Sequence, residues 1–154
     1  METFVTIERA LTIARQVSIH PSTEQVTLNQ AHNRILAEDL QSKVDDPPFD
    51  NSAMDGWAVR SGDSIRVEVG LTAAGEAASE IGAGEAIRIM TGAPIPNGAN
   101  AIVMVEDGIH GKAHTNFIRK RGENLRKGDT NLNAGQVMTP AAISLAATMG
   151  HETV

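Results

Sequence analysis

Residues 45–60 read Asp-Asp-Pro-Pro-Phe-Asp-Asn-Ser-Ala-Met-Asp-Gly-Trp-Ala-Val-Arg, the densest run of conformationally restricted residues in the chain. The two prolines fix φ and remove two backbone donors, so a helix cannot begin here. The short polar side chains of residues 50–52 favour a tight turn, because they bond back to nearby amides. Gly56 then permits a bend, and residues 57–59 alternate as a strand. The stretch therefore predicts a rigid acidic turn that presents the carboxylate of Asp55.

Short strand patterns follow this turn. Residues 64–71 alternate strictly, with aliphatic side chains on one face (Ile65, Val67, Val69, Leu71) and polar ones on the other (Arg66, Glu68). Residues 85–90, 101–105 and 115–118 also have strand character, and glycines and prolines separate them. Short strands at this spacing are typical of a small β-barrel or sandwich, which we expect over residues 50–120.

Helical patterns flank this β module. Residues 4–17 carry apolar side chains at helical spacing, with Thr3 or Thr6 as the candidate N-cap. Thr139-Pro140 predicts the start of a second helix, which Gly150 would end. We therefore expect a β-rich α+β fold, in which the module at 50–120 is inserted into an elongated helical and mixed unit made of residues 1–49 plus 121–154.

Composition narrows the class of protein. The 154 residues include 13 basic and 19 acidic side chains, and the net charge of −6 argues against nucleic-acid binding. The absence of cysteine excludes disulfides and thiolate metal sites. The first 20 residues combine charges with a helical pattern, unlike a signal peptide, and no apolar run reaches the roughly 20 residues of a membrane helix. We expect a cytoplasmic protein without membrane contact.

A second motif lies at residues 88–98, Arg-Ile-Met-Thr-Gly-Ala-Pro-Ile-Pro-Asn-Gly. Here a strand leads into a hydroxyl and a Gly-Ala pair, and converging amides of this kind can hold an oxyanion. A rigid hairpin turn is the alternative interpretation, and the two prolines favour it. The motif lacks the Gly-Lys-Ser/Thr ending of a nucleotide-binding P-loop.

A third motif, residues 119–129, reads Arg-Lys-Arg-Gly-Glu-Asn-Leu-Arg-Lys-Gly-Asp. Five of its residues are basic in an acidic protein, and guanidinium groups suit phosphate or similar oxyanions. A solvated charged loop is the alternative, since most charge runs have no ligand.

Histidine and serine patterns give no further catalytic prediction. His110 and His114 flank a turn without a clustered carboxylate partner, which argues against a transition-metal site. Nothing marks Ser52 as the nucleophile of a hydrolase.

Taken together and in this order, the three motifs resemble the N-terminal region of the MoeA-type molybdopterin molybdenumtransferases, which are related to the gephyrin E domain. The resemblance implies a dimeric enzyme that inserts molybdate into adenylylated molybdopterin with magnesium and releases AMP. It places the family's functional acid at Asp55, its motif threonine at Thr91 and its arginine at Arg119. We expect substrate or anion contacts from the same motifs, at Ser52, Gly92, Arg121 and Asn124, and no metal ligand.

The sequence departs from the family pattern in two ways. Asn124 replaces the usual aspartate after Gly-Glu, which keeps the shape of the side chain and removes its charge. Full-length relatives continue into a pterin-binding α/β domain, which we expect to be absent from this chain. The resemblance thus implies that this chain supplies one wall of an active site and is inactive without the missing domain. The alternative is a non-catalytic module that dimerises or docks onto a separate pterin-binding chain.

Overall fold

The computed structural model describes residues 4–17 and 21–154, so the candidate cap Thr3 lies outside the described residues. These residues form helices α1 (Ile7–Gln16) and α2 (Pro140–Thr148). The strands are β1 (Leu40–Gln41), β2 (Asn51–Ser52), β3 (Gly56–Val59), β4 (Val67–Thr72), β5 (Glu85–Ile89), β6 (Ala101–Met104), β7 (Ala113–His114), β8 (Ile118–Arg119) and β9 (Thr130–Leu132). The expected β-rich mixture of strands and few helices is confirmed.

The largest sheet has five strands in the order β4-β5-β3-β6-β7. Strand β4 runs parallel to β5, and the other neighbours are antiparallel. Within the described residues β4 and β7 are the two edges, so the sheet is open and, of the expected barrel or sandwich, the closed barrel does not form. A barrel would need these edges to pair, and β7 spans only two residues.

Strand β4 does not show the strict alternation that we expect for residues 64–71. A register shift between Glu68 and Gly70 inserts one extra residue against β5. Leu71 consequently lies opposite Arg88, on the other face from Val67, and both aliphatic side chains are exposed. Arg66 is instead buried, because its guanidinium donates to the carbonyls of Ile109 and Gly111 and holds that loop against the sheet.

Apolar side chains gather in separate clusters. One cluster joins the chain's first third to α2, through Ala31, Leu36, Leu125, Leu132, Met138, Ala146 and Met149. Two others cover opposite faces of the five-stranded sheet, one around Ile89 and Ile102 and one around Val59 and Val103. The division into residues 1–49 plus 121–154 and an inserted 50–120 stays a prediction.

The two helices differ in how they pack. Thr139 caps α2 by accepting a hydrogen bond from the Ala142 amide at 3.2 Å, as predicted, and Gly150 follows with a φ of +84°. Thr6 caps α1 in the same way, but none of the α1 residues is buried and Ile7 is 76% exposed. No helix within residues 4–17 and 21–154 is long and apolar enough to span a membrane.

Candidate functional site

Strand β2 is where the three motifs meet. Its residues pair with β8, which begins the basic motif, and Asn51 also bridges to Pro94 of the second motif. The Ser52 amide donates to the Ala93 carbonyl at 3.0 Å, while the Ser52 carbonyl accepts from the Gly92 amide at 2.8 Å. Backbone pairing at two residues therefore brings together segments up to 68 positions apart in the sequence.

The Asp55 carboxylate is fixed by Thr91. Its Oδ1 accepts hydrogen bonds from the Thr91 amide at 2.7 Å and from the Thr91 hydroxyl at 2.8 Å. These hydrogen bonds hold the pKa of Asp55 below its ordinary value, and the one from the Thr91 amide has the larger effect. The positive charge of Arg88 acts in the same direction. The carboxylate is exposed and ionised at neutral pH, and Oδ2 makes no hydrogen bond within the described residues.

The amides of the Thr91 turn do not form an anion nest. The Thr91 amide donates to Asp55, the Gly92 amide to Ser52 and the Ala93 amide to the Met90 carbonyl at 3.0 Å. Gly92 adopts a φ of +82°, as a tight turn requires. The geometry favours the rigid-turn interpretation, so an anion contact at Gly92 cannot depend on its amide.

Ser52 supports the turn from inside. Its side chain is fully buried, and its hydroxyl donates to the Met54 carbonyl at 2.6 Å while accepting from the Met54 amide. A hydroxyl in this position shapes the approach to Asp55 but does not face a ligand. Substrate contact by Ser52 is therefore disfavoured by its burial.

Two side chains of the basic motif form ion pairs with acidic residues far away in the sequence. Lys120 pairs with Asp50 at 2.7 Å, and Arg121 pairs with Asp45 at 2.6 Å. The Lys127 amide and the Arg121 side chain lower the pKa of Asp45, and the Lys120 side chain lowers that of Asp50. An oxyanion bound at this motif would have to displace these carboxylates. The ion pairs instead join residues 45–50 to residues 119–127, and we call this contact the clasp.

Arg119 and Asn124 belong to the same clasp. Arg119 donates to Glu123 at 2.8 Å, which lowers the pKa of Glu123, and to the Asn124 side-chain oxygen at 3.3 Å. The Asn124 amide group donates in turn to Asp46 at 2.8 Å. No hydrogen bond or ion pair among the described residues joins Arg119 to Asp55, so its catalytic role stays a prediction.

Asn124→Asp is expected to weaken the clasp. An aspartate cannot donate to Asp46, so a hydrogen bond is replaced by two carboxylates in contact. For exposed groups we expect a loss of about 0.5–1 kcal/mol in the free energy of unfolding at neutral pH, measured by urea denaturation.

Asn116→Asp is the matched control, because Asn116 is exposed and makes no side-chain hydrogen bond within the described residues. An equal effect of the two substitutions would show that added negative charge, rather than contact with Asp46, causes the loss.

The described residues do not contain a metal site. Among residues 4–17 and 21–154, no three His, Asp or Glu side chains are placed to hold an ion together. The acidic residues of the clasp already have partners: Asp50 and Asp45 pair with basic side chains, and Asp46 accepts from the Asn124 amide. The described residues thus offer no cluster of three ligands for an ion, and no step below depends on magnesium.

Sequence reasoning gave no role to Arg88, Trp57 and Glu68, which are linked to one another through the Trp57 indole. Arg88 lies directly opposite Trp57 between β5 and β3, with its guanidinium carbon 4.5 Å from the centre of the indole. The indole nitrogen donates to Glu68 at 2.6 Å. Their signal was the period of two in β3 and β5, which places Trp57 and Arg88 on the same face of the sheet.

Comparison with known proteins extends these observations. The family described as MoeA N-terminal region (domain I and II) matches residues 5–150. Molybdopterin molybdenumtransferase of Haemophilus influenzae is 38% identical over 151 residues, 88% of this chain and 37% of that protein. The Staphylococcus aureus enzyme of the same name is 41% identical over 162 residues, 92% of this chain and 38% of that protein.

Solved structures agree with the sequence matches. A molybdopterin biosynthesis MoeA protein from Pyrococcus horikoshii superposes with a TM-score of 0.81 at 30% identity, over 97% of this chain and 43% of that chain. A second structure from that organism gives 0.77 at 34% identity, over 86% and 40%. This chain thus spans about two fifths of the length of these relatives. The resemblance drawn from the three motifs is confirmed, and the chain belongs to the MoeA N-terminal region family.

Proposed function

We propose that this chain acts in molybdenum cofactor biosynthesis, as the N-terminal part of a molybdopterin molybdenumtransferase that inserts molybdate into adenylylated molybdopterin. The family match and the relatives' names support this proposal. The observation that carries it is the Asp55 carboxylate, whose Oδ1 is held by Thr91 and whose Oδ2 is free to meet a ligand.

The lowered pKa suggests which task Asp55 performs. A carboxylate with a depressed pKa is a weak general base, because base strength falls with pKa. It is better suited to remain charged and accept a hydrogen bond from the substrate. We propose that Asp55 orients the substrate in this way, that Thr91 fixes the carboxylate and that Arg119 acts through the clasp. Magnesium, if the reaction uses it, would enter with ligands from the substrate or from another part of the enzyme.

A reconstitution assay tests the proposal. The 154-residue chain is mixed with the C-terminal part of a relative, and AMP release and cofactor formation are measured from adenylylated molybdopterin and molybdate. We expect turnover from the mixture and none from either part alone, because the substrate needs a second wall opposite Asp55. Turnover by this chain alone would contradict the need for a second wall. An inactive mixture would contradict the expected turnover.

The second candidate function is a docking or dimerisation module without chemistry. The exposed apolar face of α1 favours it, since Ile7 is 76% and Leu11 50% exposed. A pure module would not need a carboxylate at Asp55, so equal cofactor formation by the unmodified chain and an Asp55→Asn variant would favour this function over the first.

A further inference from the structure

The Asp55 site lacks an obvious cation for its substrates. Both molybdate and a phosphate-linked pterin are anions, and the ionised carboxylate of Asp55 repels them. In the basic motif, the side chains of Arg119, Lys120 and Arg121 are already paired with carboxylates. A substrate that reaches Asp55 therefore needs a positive charge from somewhere else.

Arg88 is placed to supply this charge. It is half-buried and makes no hydrogen bond or ion pair within residues 4–17 and 21–154. Strand register puts it opposite Trp57, which follows Asp55 by two residues, and Thr91, which holds the Asp55 carboxylate, follows Arg88 by three residues. The Arg88 charge is felt at Asp55, where it contributes to the lowered pKa.

The aromatic ring restrains the guanidinium. Its carbon lies 4.5 Å from the centre of the indole, and this cation–π contact uses the charge without occupying the N–H donors. Glu68 holds the indole through the 2.6 Å bond to its nitrogen, so the platform itself is anchored. Planar donors of this kind match two oxygens of a tetrahedral anion.

We propose that Arg88, held on the Trp57 platform, binds a tetrahedral oxyanion of the substrate beside Asp55. The anion is either molybdate or the phosphate of the adenylylated pterin, and both present the same oxygens to a guanidinium. This inference rests on the proposed function for the identity of the ligand. Arg88 is a binding and positioning residue in this view, and Asp55 contacts the neighbouring part of the substrate.

Trp57 provides the measurement, because it is the only tryptophan in the chain and there is no tyrosine. Sodium molybdate, inorganic phosphate and AMP are titrated separately at constant ionic strength, and Trp57 emission and the heat of binding are recorded. The titrations use the full chain, alone and mixed with the C-terminal part of a relative. A response to molybdate alone would assign the subsite to the metal oxyanion, and a response to AMP or phosphate would assign it to the pterin phosphate.

Arg88→Ala is expected to weaken binding by about tenfold or more, as for loss of a charge-assisted contact. Arg88→Lys keeps the charge without the planar fork and should recover part of the affinity. Arg60→Ala is the matched control, because Arg60 is exposed at the other end of β3 and its side chain has no partner within the described residues. Circular dichroism verifies folding, and the lysine variant decides the question if the alanine variant unfolds.

Equal affinities for the unmodified chain and Arg88→Ala would overturn the inference, as would the absence of anion binding both alone and in the mixture. The proposed function fails separately: cofactor formation that is insensitive to Asp55→Asn would remove the transferase role whatever Arg88 binds.

Discussion

Asp55→Asn, tested in the reconstituted mixture, is expected to lower cofactor formation by about 100-fold or more, the scale of a substrate that loses its positioning at the reacting centre. Asparagine has nearly the same shape, and its oxygen can still accept from the amide and the hydroxyl of Thr91. The turn should therefore survive while the negative charge at the exposed oxygen disappears. AMP release and cofactor yield are measured under saturating molybdate, and the unfolding midpoint verifies that the fold is intact.

The matched control for this substitution is Asp107→Asn. Asp107 is exposed after β6 and its side chain makes no hydrogen bond or ion pair within the described residues, so the same change of charge should leave activity unchanged. Comparable losses in the two variants would attribute the effect to net charge. No loss at Asp55 would remove the catalytic role and leave the docking function.

The sequence predicts Asp55 as the acid of the site, but it does not predict the hydrogen bonds that Thr91 makes to this carboxylate. The motif named both residues, yet nothing in the sequence indicated that both Thr91 donors converge on one carboxylate oxygen. That contact spans 36 positions and depends on the pairing of β3 with β5. The lowered pKa of Asp55 and the free second oxygen are consequences of tertiary structure.

Features with a local cause were predicted well. The α2 cap follows from Thr139-Pro140, because a threonine hydroxyl and a proline at the first helical position act within one turn. Strand β3 follows equally from its position after a glycine bend. These elements need no distant partner to be specified.

Features with a distant cause were not predicted. The extra residue in β4 and the burial of Arg66 depend on β5 and on the loop at residues 109–111. The sequence does not reveal the partners of the basic motif, because Asp45 and Asp50 lie 70 or more positions before the side chains that they pair with. A charge run shows which charges are present, but only the fold shows which of them are already paired.

Gly56→Ala is expected to cause the largest loss of stability in the described part of the chain. A Cβ at this position would lie 1.9 Å from the Val103 carbonyl oxygen, and the clashing atom is backbone that cannot rotate away. Strands β3 and β6 would have to separate at the residue next to Asp55. Overpacking of this severity is expected to lower the free energy of unfolding by about 3 kcal/mol or more, and the melting temperature by roughly 10 °C.

Gly70→Ala is the control that separates this steric effect from glycine's backbone entropy. Gly70 also lies in a strand, but a Cβ there meets nothing within 4 Å and its φ is not in the left-handed region. Its unfolding free energy should change by about 0.5 kcal/mol or less, or increase slightly because the unfolded chain loses freedom. Both variants are followed through Trp57 emission in urea. Equal midpoints would mean that β3 and β6 are not packed as closely as the Gly56 contact requires, and the fixed position of Asp55 beside them would lose its support.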